Sequence, residues 1–277
     1  MSVYKREMIQ SHDVVDTRNK TLEREINLAK NIQSALLNGE KPNLENGEVS
    51  GISIPARLIG GDYFDFYPLS NGKLRIVIGD VMGKGIPAAM LMILTRGAFR
   101  TAAESTKGPG DTLTAMNNAL YSDLRKLNSF VTVFCADWDP ILGKLSYSNA
   151  GHSLPEIIGE NKQKVELPTV KGVMLGGLPN QVYKEESVIL AEGDLVFIYT
   201  DGIIEAVNTD GEMYKVERLD ELLKSLVTKN VQKIEQSVIK DLNQFTKGLP
   251  QKDDITMVLL KIDKERTDIS SYNSPLV

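Results

Sequence analysis

Predicted strands and predicted helices are grouped into blocks along this chain instead of alternating one by one. Stretches rich in branched and apolar residues predict seven strands, at 50–56, 74–78, 130–136, 144–148, 187–190, 195–199 and 255–262. Helical patterns fall between them in pairs, at 87–103 with 111–126 and at 215–227 with 231–245, and Asp111 is the predicted N-cap of the second helix. Because strands and helix pairs are segregated, the pattern favours an α+β fold over an alternating α/β fold. Two sheets stacked face to face, with helix pairs outside them, would use all of these elements.

The N-terminal segment has a different pattern, the four-three spacing of a coiled-coil seam. The seam positions are Met8, His12, Val15, Asn19, Leu22, Ile26, Ala29, Gln33 and Leu36. Gly39 and Pro42 are predicted to end this helix. We therefore divide the chain into a helical linker at 1–45, a main domain at 46–264 and a flexible polar tail at 265–277. The helix either packs on its own domain or forms a parallel homodimer through residues 21–37.

Composition excludes several classes of partner and site. The net charge of −5 argues against nucleic acid, which demands a basic face. The single cysteine, Cys135, excludes an internal disulfide framework and a four-cysteine zinc site, and fits a reducing compartment. The longest apolar run, at 86–94, is far shorter than the roughly 20 residues of a membrane span. These features predict a soluble cytoplasmic protein with no membrane partner.

Acidic residues recur beside glycines at the ends of the predicted strands. The segments are GGDYFD at 60–65, GDVMGKG at 79–85, TDG at 200–202 and DDIT at 253–256. Carboxylates gathered at one sheet edge repel each other unless a cation lies among them. Hard divalent cations such as Mg²⁺ and Mn²⁺ take oxygen ligands, and a pair of them can activate water and bind phosphate. The alternative is that each Asp–Gly pair is only a turn.

Three other motifs and the single cysteine carry weaker signals. GDVMGKG lacks the spacing and the final Ser or Thr of a phosphate-binding P-loop. GGDYF differs from the GGDEF signature of diguanylate cyclases, because Tyr63 stands where that signature has an acid. Ser153 beside His152 suggests a hydrolase triad, but no G-x-S-x-G turn surrounds any serine. Cys135 lies within a predicted strand, which indicates a buried small residue more than a nucleophile.

Taken together, six motifs resemble one protein family in order and spacing. They are GGDYFD, GDVMGKGIPAAMLM, NAGH at 149–152, Leu175-Gly176, YTDG and DDIT. The chain resembles the bacterial metal-dependent serine/threonine phosphatases of the stage II sporulation protein E type, a branch of the protein phosphatase 2C superfamily, over about residues 50–262. The preceding LEREINLAKNIQSALL resembles the linker helix that joins such a domain to an upstream sensor.

The resemblance implies a four-layer α-β-β-α sandwich with two Mn²⁺ or Mg²⁺ ions at one end. It implies that Asp80 bridges the metals, that the Val81 carbonyl completes one site, and that Asp201 and Asp253 hold the ions from other strands. Asp62 would either bind metal waters or ligate an ion directly, and with Asp80 it forms the predicted catalytic pair. The residues expected behind the ligands or at the substrate are Asp254, His152, Arg57 and Lys84. His152 could equally stabilise the turn in which it lies.

The activity implied by the resemblance is hydrolysis of phosphoserine or phosphothreonine by water activated at the metals, without a phosphoenzyme. The implied substrate is a phosphorylated anti-anti-sigma factor in a partner-switching pathway. An activating partner protein or an upstream sensor would supply the input. Two alternatives stay open: a non-catalytic pseudophosphatase that acts as a binding module, and a small-molecule phosphatase.

Overall fold

The computed structural model describes residues 3–37, 41–44 and 46–263. Five helices and nine strands are described, and the predicted flexible tail at 265–277 lies outside the described residues. The helices are α1 (Val3–Leu37), α2 (Ile86–Ser105), α3 (Pro109–Lys126), α4 (Val216–Leu226) and α5 (Val231–Thr246). The strands are β1 (Gly47–Ile54), β2 (Tyr63–Pro68), β3 (Leu74–Val81), β4 (Val131–Asp139), β5 (Lys144–Ala150), β6 (Glu156–Ile158), β7 (Glu186–Ile189), β8 (Leu195–Tyr199) and β9 (Ile255–Ile262).

The strands form two antiparallel sheets. The five-stranded sheet has the order β2-β3-β4-β5-β7, and the four-stranded sheet has the order β1-β9-β8-β6. Consecutive residues of a strand point to opposite faces, so each central strand supplies two cores. In β3, Ile76 and Ile78 point between the sheets, whereas Val77 and Val81 point to the outer face.

Helices cover both outer faces. The pair α2 and α3 packs on the five-stranded sheet through residues such as Met92, Phe99 and Leu113. The pair α4 and α5 packs on the four-stranded sheet through Leu219 and Ile234, among others. The predicted four-layer α-β-β-α sandwich is therefore confirmed.

Most of the predicted elements are present, with three differences. The sequence pattern missed β2, whose stretch YFDFYP carries Asp65 and Pro68, and it missed β6, which has only three residues. The prediction that Asp111 caps α3 was wrong: the cap position is Gly108 and the helix begins at Pro109, so Asp111 lies in the first turn. Proline at the first helical position needs no hydrogen-bonded N–H, which explains the earlier start.

The linker helix α1 is one continuous helix of 35 residues. Among its described side chains, only those near the C-terminal end contact the sandwich, where Gln33 is buried and Leu37 packs beside the α2–α3 core. Leu22, Leu28 and Ile32 are exposed. Within the described chain, no helix has the length and apolar character needed to cross a membrane.

Cys135 lies in the middle of β4 and is fully buried, as the sequence indicated. Burial is the main cause that raises the pKa of its thiol, with Asp137 the next cause. A buried thiol of raised pKa carries little thiolate and is a poor nucleophile.

A buried ion pair ties the five-stranded sheet to its helices. Arg75 on β3 is wholly buried and donates two hydrogen bonds to the Asp137 carboxylate on β4, at 2.7 and 2.8 Å. Its remaining terminal nitrogen donates to Thr106 and Thr112, both at 2.8 Å. Thr106 follows α2 and Thr112 lies in α3, so one guanidinium group holds the helix connection against the sheet.

We expect Asp137→Ala to lower the free energy of unfolding by about 3–5 kcal/mol, because it leaves Arg75 buried without its carboxylate. Urea denaturation measures the loss. The double variant Arg75→Met/Asp137→Leu removes both charges and should lose less than half as much. A loss below about 1 kcal/mol in Asp137→Ala would mean that the pair behaves like an exposed one.

Candidate metal centre

Four acidic segments meet at one end of the sandwich. Asp80 lies near the end of β3 and Asp62 directly precedes β2, its neighbour in the five-stranded sheet. Asp201 follows β8 and Asp253 precedes β9, which are neighbours in the four-stranded sheet. Since paired strands are antiparallel, the end of one lies beside the start of the next. These carboxylates therefore converge at one end of the sandwich, as the sequence pattern suggested.

Asp80 lies at the centre of this cluster. Burial is the main cause that raises the pKa of Asp80 to about 7, followed by the negative charge of Asp201, and a hydrogen bond with Asp62 offsets part of the rise. Asp253 adds a smaller repulsion that also raises this pKa. Burial and then Glu205 raise the pKa of Asp201 as well. The cluster therefore disfavours its own negative charge when no cation is present.

Asp62 is almost fully buried and is held from the opposite sheet. The Thr200 hydroxyl donates a hydrogen bond of 2.8 Å to its carboxylate. Thr200 in turn accepts a hydrogen bond of 3.0 Å from the Thr256 backbone N–H on β9. Burial and then Asp80 raise the pKa of Asp62. Sequence reasoning missed Thr200, although its place beside Asp201 in YTDG was a usable signal.

The Lys84 side chain lies against Asp253 at the edge of the cluster. Its ammonium group forms an ion pair with the Asp253 carboxylate and donates a hydrogen bond of 2.6 Å to the Lys252 carbonyl. Within the described parts of the chain, no three acidic, histidine or cysteine side chains are close enough together to hold one metal ion. Lys84 thus supplies positive charge where divalent cations were expected, and the two-metal site stays a prediction.

The oxygen donors nevertheless fit a hard cation. A Cβ atom added to Gly61 would lie 3.0 Å from the Val81 carbonyl oxygen, so the loop that carries Asp62 passes close to that oxygen. Carboxylates and carbonyl oxygens are the ligands that Mg²⁺ and Mn²⁺ prefer. A cation here would relieve the repulsion that raises the pKa of Asp80.

Asp254 has a different position from its neighbour Asp253. Its carboxylate accepts hydrogen bonds from the Ala56 and Gly61 backbone N–H groups, both at 2.7 Å. A Cβ atom on Gly60 would come within 2.5 Å of the same carboxylate, so this close approach requires glycine. Asp254 therefore fixes the loop that leads to Asp62 and lies behind the cluster.

Gln33 of α1 contacts the same loop. Its side-chain amide donates a hydrogen bond of 2.7 Å to the Gly60 carbonyl and accepts one of 3.1 Å from the Gly60 N–H. The coiled-coil pattern places Gln33 on the helix seam, and its burial against Gly60 agrees with the alternative that this part of α1 packs on its own domain. A glutamine on such a seam gives no sequence signal for the partner that it contacts far along the chain.

His152 connects the two sheets behind the acidic cluster. Its Nε2 lies 3.1 Å from the Tyr199 carbonyl, which can only accept, so Nε2 carries the proton and Nδ1 accepts from the Thr132 hydroxyl at 3.0 Å. Burial lowers the pKa of His152 to about 4. Both ring nitrogens are thus engaged within the protein, which favours the role of His152 in stabilising its turn over contact with substrate.

Arg57 lies beside the loop that follows Lys84. Its Nη1 would be 3.3 Å from a Cβ atom placed on Gly85. The guanidinium group is therefore next to the start of α2, one residue from Lys84.

The chain is similar to phosphatases of known sequence. The family described as Stage II sporulation protein E (SpoIIE) matches residues 70–263. The phosphoserine phosphatase RsbU of Bacillus subtilis (strain 168) is 26% identical over 252 residues, which cover 91% of this chain and 74% of RsbU.

Solved structures share the fold. The SiaA-PP2C domain of Pseudomonas aeruginosa superposes with a TM-score of 0.76 at 22% identity, over 89% of this chain and 99% of that domain. RsbX in complex with magnesium superposes with a TM-score of 0.58 at 18% identity, over 81% of this chain and 99% of RsbX. The SpoIIE family matches well over half of the residues of this chain, and the acidic motifs meet at one end of the sandwich. The chain therefore belongs to the SpoIIE family of protein phosphatase 2C fold.

Proposed function

We propose that this chain is a metal-dependent phosphatase that hydrolyses phosphoserine or phosphothreonine in a protein substrate. The observation that carries the proposal is the cluster of buried carboxylates with raised pKa values at the shared end of both sheets. Such a cluster is unfavourable in a protein that binds no cation there. Its position in a chain of the SpoIIE family supports phosphate ester hydrolysis as its use.

The residues proposed to hold two Mn²⁺ or Mg²⁺ ions are Asp80, Asp201, Asp253 and the Val81 carbonyl, with Asp62 beside them. When bound, the ions would supply charge stabilisation to a phosphoryl group and activate water as the nucleophile. Thr200 orients Asp62 through its hydrogen bond, and Asp254 fixes the loop that carries it. Lys84, released from Asp253, would be free to bind substrate phosphate.

The proposed substrate is a phosphoserine-bearing protein of the anti-anti-sigma type. The phosphoserine phosphatase activity named for RsbU supports phosphoserine as the group that is cleaved. The Asp253 side chain is partly exposed, so a protein substrate can reach this edge of the cluster from solution.

We expect the full chain with Mn²⁺ to release phosphate from a phosphorylated anti-anti-sigma protein and from p-nitrophenyl phosphate. The same reactions with EDTA are the control, and phosphate release is the measurement. No release from either substrate would favour the pseudophosphatase. Hydrolysis of p-nitrophenyl phosphate without any loss of protein phosphate would favour the small-molecule phosphatase.

We expect Asp80→Asn and Asp201→Asn to abolish turnover and yet to raise the Tm of the EDTA-treated protein at pH 8. The folded-state pKa of Asp80, about 7, is above the usual value of 3.8, so its ionised carboxylate opposes folding. This cost is absent below about pH 4, grows as the pH rises from there to the folded-state pKa, and is fully present at pH 8, so the gain in Tm should follow the same course. Each kcal/mol relieved should raise Tm by about 2–4 °C in a chain of this size.

Thermal melts at pH 5 and pH 8 measure this effect, and Asp123→Asn, which changes an exposed acid in a surface ion pair with Lys126, is the matched control. An Asp80→Asn variant that keeps wild-type turnover would remove Asp80 from the metal site. A lower Tm at pH 8 would contradict the proposed repulsion.

We further propose that α1 forms a parallel dimer through residues 21–37 and that dimerisation controls activity. Leu22 and Ala29 are exposed on the seam, and Ile26 between them is only partly buried. An apolar seam of this kind is stable when it meets a partner helix. Gln33 connects the helix to Gly60, two residues from Asp62, which gives the pairing a physical route to the cluster.

We expect Ile26→Asp to split the dimer and lower turnover, because it places a charge in the seam. Leu28→Asp, which changes an exposed residue on another face of the same helix, is the control and should change neither. Light scattering and the phosphatase assay are run on the same samples. A monomeric wild type at tens of micromolar, or an unchanged mass and rate in Ile26→Asp, would contradict the proposal.

A further inference from the structure

An apolar cavity of about 290 Å³ opens beside the acidic cluster. It lies between the segment that follows Asp201 and the C-terminal end of α5. Its apolar lining includes Ala206, Val207, Met213, Leu242, Leu249 and Ile255. No described residue of the linker helix lines this space.

One wall of the cavity is the short hairpin between Val207 and Met213. These two residues pair across it, and the Asn208 side chain accepts hydrogen bonds from backbone N–H groups in its turn. The next residue, Tyr214, donates a hydrogen bond of 2.6 Å to Asp241 on α5. The hairpin is therefore fixed to the helix that forms the opposite wall.

The segment that leads into Asp253 forms the rest of the lining. The Gln251 side chain donates hydrogen bonds of 2.7 Å to the Ile54 carbonyl on β1 and to the Asp253 carbonyl. Walls that are hydrogen-bonded in this way keep the cavity open without a ligand, as in most preformed binding sites.

The cavity is continuous with the candidate metal centre. Gly202 and Asp253 line it, and Asp253 is also a proposed metal ligand. A substrate whose phosphate group reaches the carboxylates thus places its neighbouring residues at the mouth of the cavity. An extended chain spans about 3.3–3.6 Å per residue, so the side chain that enters lies within about three residues of the phosphorylated one.

The chemistry of the cavity selects an apolar side chain. Met213 is 51% exposed and Leu249 is 40% exposed at its mouth, so an apolar occupant would remove both from water. Its charged lining is Glu205, Asp253 and Lys252, which is negative in sum and disfavours an acidic occupant.

We propose that this cavity is a specificity subsite that binds an apolar side chain of the phosphoprotein substrate close to the phosphorylated residue. The inference rests on the proposed phosphatase function and adds to it the class of residue that the substrate must carry. It also explains why an apolar cavity directly borders a cluster of carboxylates.

The test compares phosphoserine peptides with p-nitrophenyl phosphate, which has no peptide chain. The peptides are glycine-rich and identical except that leucine occupies one position at a time on either side of the phosphoserine. We expect leucine at one position to raise kcat/KM about tenfold or more over glycine. Met213→Glu and Leu249→Glu change two separate parts of the lining. In each variant the leucine preference should fall to within about twofold, while hydrolysis of p-nitrophenyl phosphate is retained.

Ile141→Glu is the matched control, because Ile141 is an exposed apolar residue at the β4–β5 turn. It should keep the leucine preference. A wild type that hydrolyses p-nitrophenyl phosphate but shows no leucine preference would overturn the subsite alone, as would a preference that survives in both cavity variants. A wild type that hydrolyses none of the substrates would overturn the proposed function and the subsite with it.

Discussion

Mutual repulsion among buried carboxylates is the constraint on which the architecture of this end of the sandwich depends. Asp62, Asp80 and Asp201 all have raised pKa values because they are desolvated and close to other acids. A fold keeps such groups together only if the surrounding backbone is held by other interactions. Hydrogen bonds hold this backbone in place. Thr200 orients Asp62, and the Asp254 carboxylate accepts hydrogen bonds from two backbone N–H groups of the loop that leads to Asp62. The acidic cluster is thus an arrangement imposed by its neighbours.

The same end of the molecule is where the two sheets are joined by polar contacts. His152 follows β5 of the five-stranded sheet and donates to the Tyr199 carbonyl on β8 of the other sheet. Its burial keeps the imidazole neutral, since its pKa is lowered to about 4. Thr200 makes a second connection through Asp62. Among the described residues, the core between the sheets is built mainly from apolar side chains, so these polar contacts set the relative position of the strand ends that carry the site.

Local patterns in the sequence were enough to predict the four layers and the acidic residues of the cluster, because period-two alternation and position at a strand end are local properties. Asp80 after an apolar run and Asp201 after another were visible in this way. Contacts between distant segments were not: Gln33 binds Gly60, and nothing near Gln33 in the sequence encodes that partner. The strand β2 was missed since Asp65 interrupts its apolar character, and Asp65 is in fact paired with Arg100 on α2. The pairing of Lys84 with Asp253 likewise needed three-dimensional information.

The complete burial of Cys135 has a practical consequence for spectroscopy. It is the one cysteine of the chain, and its position within β4 keeps its sulfur away from reagents in solution. Thiol-selective labels such as maleimide dyes or nitroxide spin labels would therefore react with a cysteine introduced at an exposed position and leave the native one untouched. Leu28 on α1 is 61% exposed and suits such a label. Distances between labelled helices could then be measured in the otherwise unmodified protein.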